Sequence, residues 1–235
     1  MFSKYYFSLD NDAGGTPPPS SFTLSLANDA PNLTATFGGG TPPYHYSFSS
    51  SYSGTCNGMT ITTPTGTTSS TTASTTYTAA MYGGTTYYFN VYAYDSGTQS
   101  ATSNTITIHA CLVPESLITL KNGEQKQLAK LKVGDKLYGE NNQVESYETY
   151  HVGTIYDINS GLLKSSIGHI HLVNGGQQVQ ALDLKIGDKL KNINGEEIEI
   201  LSIEKVQGQF EVINISTTNK TYYANGIATH NKLPC

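Results

Sequence analysis

Cys111, a Ser166-x-x-His169 segment and a closing His230-Asn231 pair are the residues of this 235-residue chain whose types suit bond-breaking chemistry. A cysteine thiolate is a nucleophile, and an imidazole titrates near neutral pH and carries protons. A hydroxyl can hold or polarise a reacting group. Cys111 stands where the composition of the chain changes, and His230-Asn231 is followed only by Lys232-Leu233-Pro234-Cys235. A ragged tail accounts for the final pair cheaply; a cleavage junction accounts for it chemically. Each signal alone is commonplace. A lone cysteine is usually a small buried hydrophobe, and Ser-x-x-His occurs by chance in many sequences.

The elements that must position these residues fall into two halves. Residues 1–110 carry only Lys4, Asp10, Asp12, Asp29 and Asp95 as charges and are otherwise rich in Ser, Thr, Gly and Tyr; residues 111–235 hold the remaining lysines and acids. There is no Arg and no Trp, and the formal net charge is −5. No basic field exists to attract nucleic acid, so no nucleic-acid partner is expected. No window is apolar enough to span a membrane. The first fifteen residues lack the uninterrupted apolar core of a secretory signal. That leaves a cytoplasmic product, a virion or bacterial-surface component, or a domain cut from a longer chain. Cys56, Cys111 and Cys235 form no CxxC pair, so no zinc cluster is expected.

Residues 1–20 read as a leader. From 21 to 110, short alternating runs are separated by turns. "SFTLSLA" alternates Phe22, Leu24 and Leu26; "LTATF", "YHYSF", "TTYYFNVYAY" and "SNTITIHA" follow. This is the period of half-buried strands and predicts an all-β sandwich. The segment from Met81 to Ala93 resembles the penultimate strand of fibronectin type III domains. That resemblance implies a corner tyrosine at Tyr87, inward-facing Phe89, Val91 and Ala93, and a final strand in "SATSNTITI". Phe37 stands where that family usually keeps a Trp. The many tyrosines either fill strands or form a surface for a protein or glycan partner.

The second half contains an internal repeat. Leu131-Lys132-Val133-Gly134-Asp135-Lys136-Leu137 recurs as Leu184-Lys185-Ile186-Gly187-Asp188-Lys189-Leu190, an offset that also relates Gln127 to Gln180. Two copies are too few for a solenoid and predict a pseudo-twofold domain built by duplication. Each copy reads as a strand entering and leaving a Gly-Asp turn. The alternating "EEIEILSIEKV" and "FEVINIS" predict strands long enough to bend from one layer to another.

The order of these features resembles the hedgehog/intein (Hint) family over residues 111–231. The opening "CLVPESLITL", the internal "SSIGH" and the closing "YYANGIATHN" match the family's start, its T-x-x-H block and its end. The resemblance implies an all-β chain overall, with a horseshoe-shaped Hint fold following the sandwich, and a four-residue tail at 232–235. It implies two steps. At Ala110-Cys111 the thiol attacks the preceding carbonyl and the acyl group moves from nitrogen to sulfur. His169 is the general acid for the leaving amine, and Ser166 hydrogen-bonds the scissile peptide. At Asn231-Lys232 the side-chain amide of Asn231 attacks its own carbonyl, assisted by His230, and frees Lys232. His171, two residues from His169, either tunes it or packs; His169-x-His171 lacks a third metal ligand. No cofactor and no metal is expected.

Three departures shape the expectation. Splicing needs a Cys, Ser or Thr after the terminal Asn, and Lys232 stands there, so cleavage is expected rather than splicing. Lys220 replaces a His that many inteins carry, and Asn214 replaces a frequent Asp; both are auxiliary candidates. The expected function is single-turnover autoproteolysis with the chain as its own substrate. The thioester is resolved by water or by an acceptor amine or thiol. The rival is a structural or adhesion protein, of a phage or a cell surface, whose Hint domain is slow or inactive.

Overall fold

The computed structural model describes residues 21–29, 32–53, 59–62, 64–79 and 86–230. The leader 1–20, Cys56, residues 81–85 of the fibronectin-like segment, and Asn231, Lys232 and Cys235 lie outside the described residues. Within them the chain is all-β: regular structure consists of strands and two short 3-10 turns.

The first half forms nine strands: β1 (Thr23–Asp29), β2 (Asn32–Gly38), β3 (Tyr44–Ser53), β4 (Met59–Ile61), β5 (Thr65–Thr68), β6 (Thr72–Ala79), β7 (Thr86–Tyr94), β8 (Ser100–Thr102) and β9 (Ile106–Ile108). One sheet has the order β1-β2-β6-β4. The other runs β5-β3-β7-β8, with β9 also paired to β7. Alternation puts Leu33, Ala35 and Phe37 of β2 and Phe89, Val91 and Ala93 of β7 on facing inner surfaces, all buried. Phe37 stacks on Tyr44 at 4.9 Å, and Tyr77 meets Phe89 at 4.8 Å. Aromatic pairs thus join the two sheets where no Trp is available. Tyr87 is fully buried on β7. Asp95, buried, accepts backbone N–H bonds from Thr41 and Gln99, both at 2.7 Å, which fixes the turn after β7.

The second half contains β10 (Leu117–Thr119), β11 (Gln125–Gln127), β12 (Val144–Ile158), β13 (Leu163–Ser166), β14 (Ile170–Val173), β15 (Gln177–Gln180), β16 (Lys189–Lys191), β17 (Glu197–Glu199), β18 (Ile203–Thr217), β19 (Thr221–Ala224) and β20 (Ile227–His230). The sequence repeat is a structural repeat. The hairpin β10–β11 and the 3-10 turn Leu128–Lys130 recur as β14–β15 and the turn Ala181–Asp183. Gly134 and Gly187 follow with φ of 92° and 94°, a region glycine enters without steric cost. Asp135 and Asp188 then accept the N–H of Lys132 and Lys185, each at 2.9 Å. The expected strand before each Gly-Asp turn is therefore corrected: a 3-10 turn ends just ahead of each copy, and Leu131-Lys132 and Leu184-Lys185 enter the turn without forming a strand. The Asp side chain satisfies a backbone donor three residues upstream, which turns the chain instead of extending it.

Long strands β12 and β18 pair antiparallel along their whole length, with a register break between Val152 and Thr154. Gly153 and Gly208 lie at that break. A Cβ on Gly208 would sit 2.9 Å from the Phe210 ring, so glycine makes room for that side chain where the ribbon bends. The two halves share packing at their junction. Ala110, Tyr156, Ile167, Ile170 and Ala181 belong to the same buried cluster as the sandwich residues Phe89 and Ile108. The chain passes from β9 through buried His109 and Ala110 straight into the second half.

Candidate active site

Three separate segments converge where the halves meet. Residues 111–113 enter from β9, residues 165–171 span the turn between β13 and β14, and Thr229-His230 end β20. Pairing makes the convergence. Leu112 bridges to Ser165 of β13 and to Ile213 of β18, exchanging bonds of 3.0 and 2.8 Å with Ile213. Ile170 stands opposite His230, and His171 opposite Thr229. The start, middle and end of the second half are therefore held by backbone ladders, which place side chains more rigidly than loops do.

Cys111 carries a fully buried thiol. It packs with Val113, Ile155 and Val212, with Tyr150 at the edge of the cluster. The amide N–H of Cys111, which belongs to the Ala110-Cys111 peptide, donates to Ser166 Oγ at 2.8 Å. Ser166 in turn donates to the His109 carbonyl at 2.6 Å, and its own N–H donates to the Cys111 carbonyl at 2.9 Å. One hydroxyl thus grips the peptide groups on both sides of Ala110. Ser166→Ala leaves a buried N–H and a buried carbonyl without this partner. We expect a stability loss of about 1–3 kcal/mol, read as a lower urea midpoint at pH 7.

His169 is buried, and its Nε2 lies 2.6 Å from Thr229 Oγ1. Thr229 donates its single O–H to the Ile170 carbonyl at 3.1 Å. A carbonyl only accepts, so Thr229 Oγ1 receives the Nε2–H of His169, and the ring's basic nitrogen is Nδ1. Nδ1 has no hydrogen-bond partner among the described residues. Burial, then the His171 and His230 rings, hold His169 well below the usual imidazole range. The ring is neutral at pH 7 and, once protonated, a strong acid.

His171 lies on β14, two residues beyond His169. The two rings meet edge to face at 5.0 Å, and His171 Nε2 pairs with Ser165 Oγ at 3.0 Å. His171 is packed, and it also presses on the titration of its neighbour. Burial lowers His171 itself from 6.5 to about 4. Between those values the unfolded chain binds a proton that the folded chain does not. Stability from this group is therefore full above pH 6.5 and drains as pH falls, by about 3 kcal/mol at pH 4. His171→Gln should narrow the difference in urea midpoint between pH 7 and pH 4 by a corresponding amount. Among the described residues no three His, Cys, Asp or Glu side chains converge as metal ligands.

Of the remaining candidates, His230 is buried on β20 within electrostatic reach of His169. Asn231 and Lys232 lie outside the described residues. Lys220 is exposed in a left-handed turn, one residue before Thr221, which stands opposite His230. Asn214 is buried and donates to Glu148 Oε2 at 3.4 Å, its partner in the β12–β18 ladder.

Two nearby residues escaped the sequence reading. His109 stacks on Tyr150 with ring centroids 3.7 Å apart, and Tyr150 donates to Glu148 at 2.7 Å. Burial and the Glu148 carboxylate push the Tyr150 hydroxyl up, with the Cys111 thiol adding to the effect. Tyr222, buried on β19, is also raised by burial and by Cys111. The signal for Tyr150 lay in the alternation of "ESYETYHV", but linking it to Cys111 required the β12–β18 register.

No protein-family model matches the chain, and no curated protein matches it. Among solved structures, the gp41-1 intein is 25% identical, with 52% of this chain and 98% of that chain covered and a TM-score of 0.45. A bacterial intein-like domain from Clostridium thermocellum is 20% identical, covering 52% and 99%, with a TM-score of 0.48. A DnaB intein from Synechocystis sp. is 18% identical, covering 52% and 99%, with a TM-score of 0.43.

Proposed function

We propose that residues 111–231 are a self-processing Hint domain that cleaves its own chain at Ala110-Cys111 and sheds residues 232–235 at Asn231, without splicing. The sandwich before it is read as a fibronectin type III-like module. The observation that carries the reading is the Cys111 N–H bonded to Ser166 Oγ, with His169 and His230 brought to the same place by β14 and β20.

In the first step Cys111 Sγ attacks the Ala110 carbonyl carbon. The C–N bond breaks, the C–S bond forms, and the thiol proton ends on the new α-amine. A thioester is less stable than an amide, so the leaving nitrogen must be protonated promptly. His169 supplies that proton from Nδ1 in this reading. Ser166 holds the peptide between Ala110 and Cys111 in place and accepts its N–H, which pre-organises the leaving nitrogen. In the second step the Asn231 side-chain nitrogen closes on its own carbonyl, forming a succinimide and releasing the Lys232 amine, with His230 as the neighbouring proton donor. Lys232 offers no hydroxyl or thiol to take the acyl chain, which is why cleavage is the proposed outcome.

Incubation of the purified chain near neutral pH tests both steps by mass. Fragments breaking after residue 110, and loss of residues 232–235 that stops in Asn231→Ala, are the expected results. An uncut chain that ignores added thiol overturns the reading. Because Ala110 is buried in a cluster shared by both halves, the two fragments should stay together after the cut. They should elute as one species in size exclusion and separate only in denaturant.

One observation favours a second reading, a surface or adhesion protein with a slow Hint domain. Tyr92 and Tyr94 of β7 are exposed, and His45 stacks on Tyr94 at 4.7 Å in an uncharged Ser/Thr-rich face. Such a face suits a protein or glycan partner.

A further inference from the structure

A cleft of about 270 Å³ lies on the seam between the two halves. Asn28, Thr105, Thr107, His151, Thr154 and Ser166 supply its polar lining, and His109 forms part of its wall. Ser166 is the hydroxyl that grips the peptide groups on either side of Ala110. The cleft therefore reaches the hydroxyl that holds the scissile junction. Among the described residues its polar lining consists of hydroxyls, an amide and imidazoles, without a Lys, Asp or Glu. An ion entering would lose hydration with no opposite charge to meet it, whereas a small neutral molecule would find hydrogen bonds. His151 is exposed on β12, opposite Glu211 of β18. It is the one imidazole of the lining that faces solvent.

We infer that this cleft admits the nucleophile that resolves the Ala110 thioester, that it selects small uncharged molecules bearing an O–H or N–H, and that His151 takes their proton. The inference rests on the proposed acyl shift and names its acceptor. With water, the oxygen bonds to the Ala110 carbonyl carbon and the C–S bond breaks. The proton passes to His151, and the Cys111 thiolate recovers one proton. The products are an Ala110 carboxylic acid and a free thiol. With a neutral amine the same steps give an amide at Ala110.

The test compares wild type, Thr105→Trp and His151→Gln in buffer alone and with hydroxylamine, a small nucleophile uncharged at pH 7. Both substituted positions are exposed, and an unchanged urea midpoint verifies folding. Thr105→Trp obstructs the cleft and should slow hydroxylamine cleavage on the order of tenfold or more. His151→Gln should slow hydrolysis in buffer on the order of 10²-fold. Its effect on hydroxylamine, a stronger nucleophile, should be much smaller. Cys111-dependent cleavage at wild-type rates in both variants overturns the inference and leaves the processing reading standing. If hydroxylamine cuts neither wild type nor variants at Ala110-Cys111, or cuts Cys111→Ala equally, the processing reading itself fails.

Discussion

Cys111→Ala should leave the Ala110-Cys111 bond intact, with thiol-induced cleavage reduced by at least on the order of 10³-fold. The size of the effect follows from the absence of a substitute. Cys111 is the one cysteine among the described residues, and Ser166 uses its proton on the His109 carbonyl. The structural cost should be small, because alanine fills most of the thiol's place among Val113, Ile155 and Val212. Stability and cleavage should therefore separate. An unfolding free energy from urea titration within about 1.5 kcal/mol of wild type, together with lost cleavage, identifies a chemical role. A cleavage rate unchanged by the substitution excludes the acyl shift.

His169→Gln is expected to slow the same cleavage by roughly 10²–10⁴-fold, the range for loss of a positioned general acid. The Thr229 contact fixes Nε2–H and leaves Nδ1 as the proton carrier. Burial and the neighbouring imidazoles keep the ring neutral at pH 7, so the reactive imidazolium is a minor species that grows as pH falls. Initial cleavage in thiol, corrected for the thiolate fraction of the reagent, should therefore rise from pH 7.5 to pH 6 in wild type. In His169→Gln that rise should disappear. A variant that retains the wild-type slope would show that the proton comes from elsewhere.

The legible parts of this molecule were those with a local physical cause. Phe89, Val91 and Ala93, which the fibronectin-like resemblance implied to face inward, are buried, and the duplicated Gly-Asp segment marked a duplicated structure, seen as Gly134 and Gly187 with matching positive φ. Ser166 and His169, singled out through the family resemblance, lie close together because the His169 N–H closes a turn on the Ser166 carbonyl at 3.1 Å. What the sequence hid depends on long-range register. Tyr150 meets His109 only because β12 runs beside the junction, and Glu148 faces Asn214 only through the β12–β18 ladder. The lack of a strand ahead of each Gly-Asp turn was also hidden, since an Asp bonding the N–H three residues back competes with an extended chain. The shared packing of the halves at Ala110, Ile167 and Ile170 could not be read from either half alone.

The most direct measurement is the intact mass of the full chain before and after incubation with a small thiol near neutral pH. The account predicts a fragment ending at Ala110 that carries the thiol as a thioester, a complementary fragment beginning with Cys111, and neither product from Cys111→Ala. A chain that keeps its full mass in thiol, or one that breaks at another peptide bond, would contradict it.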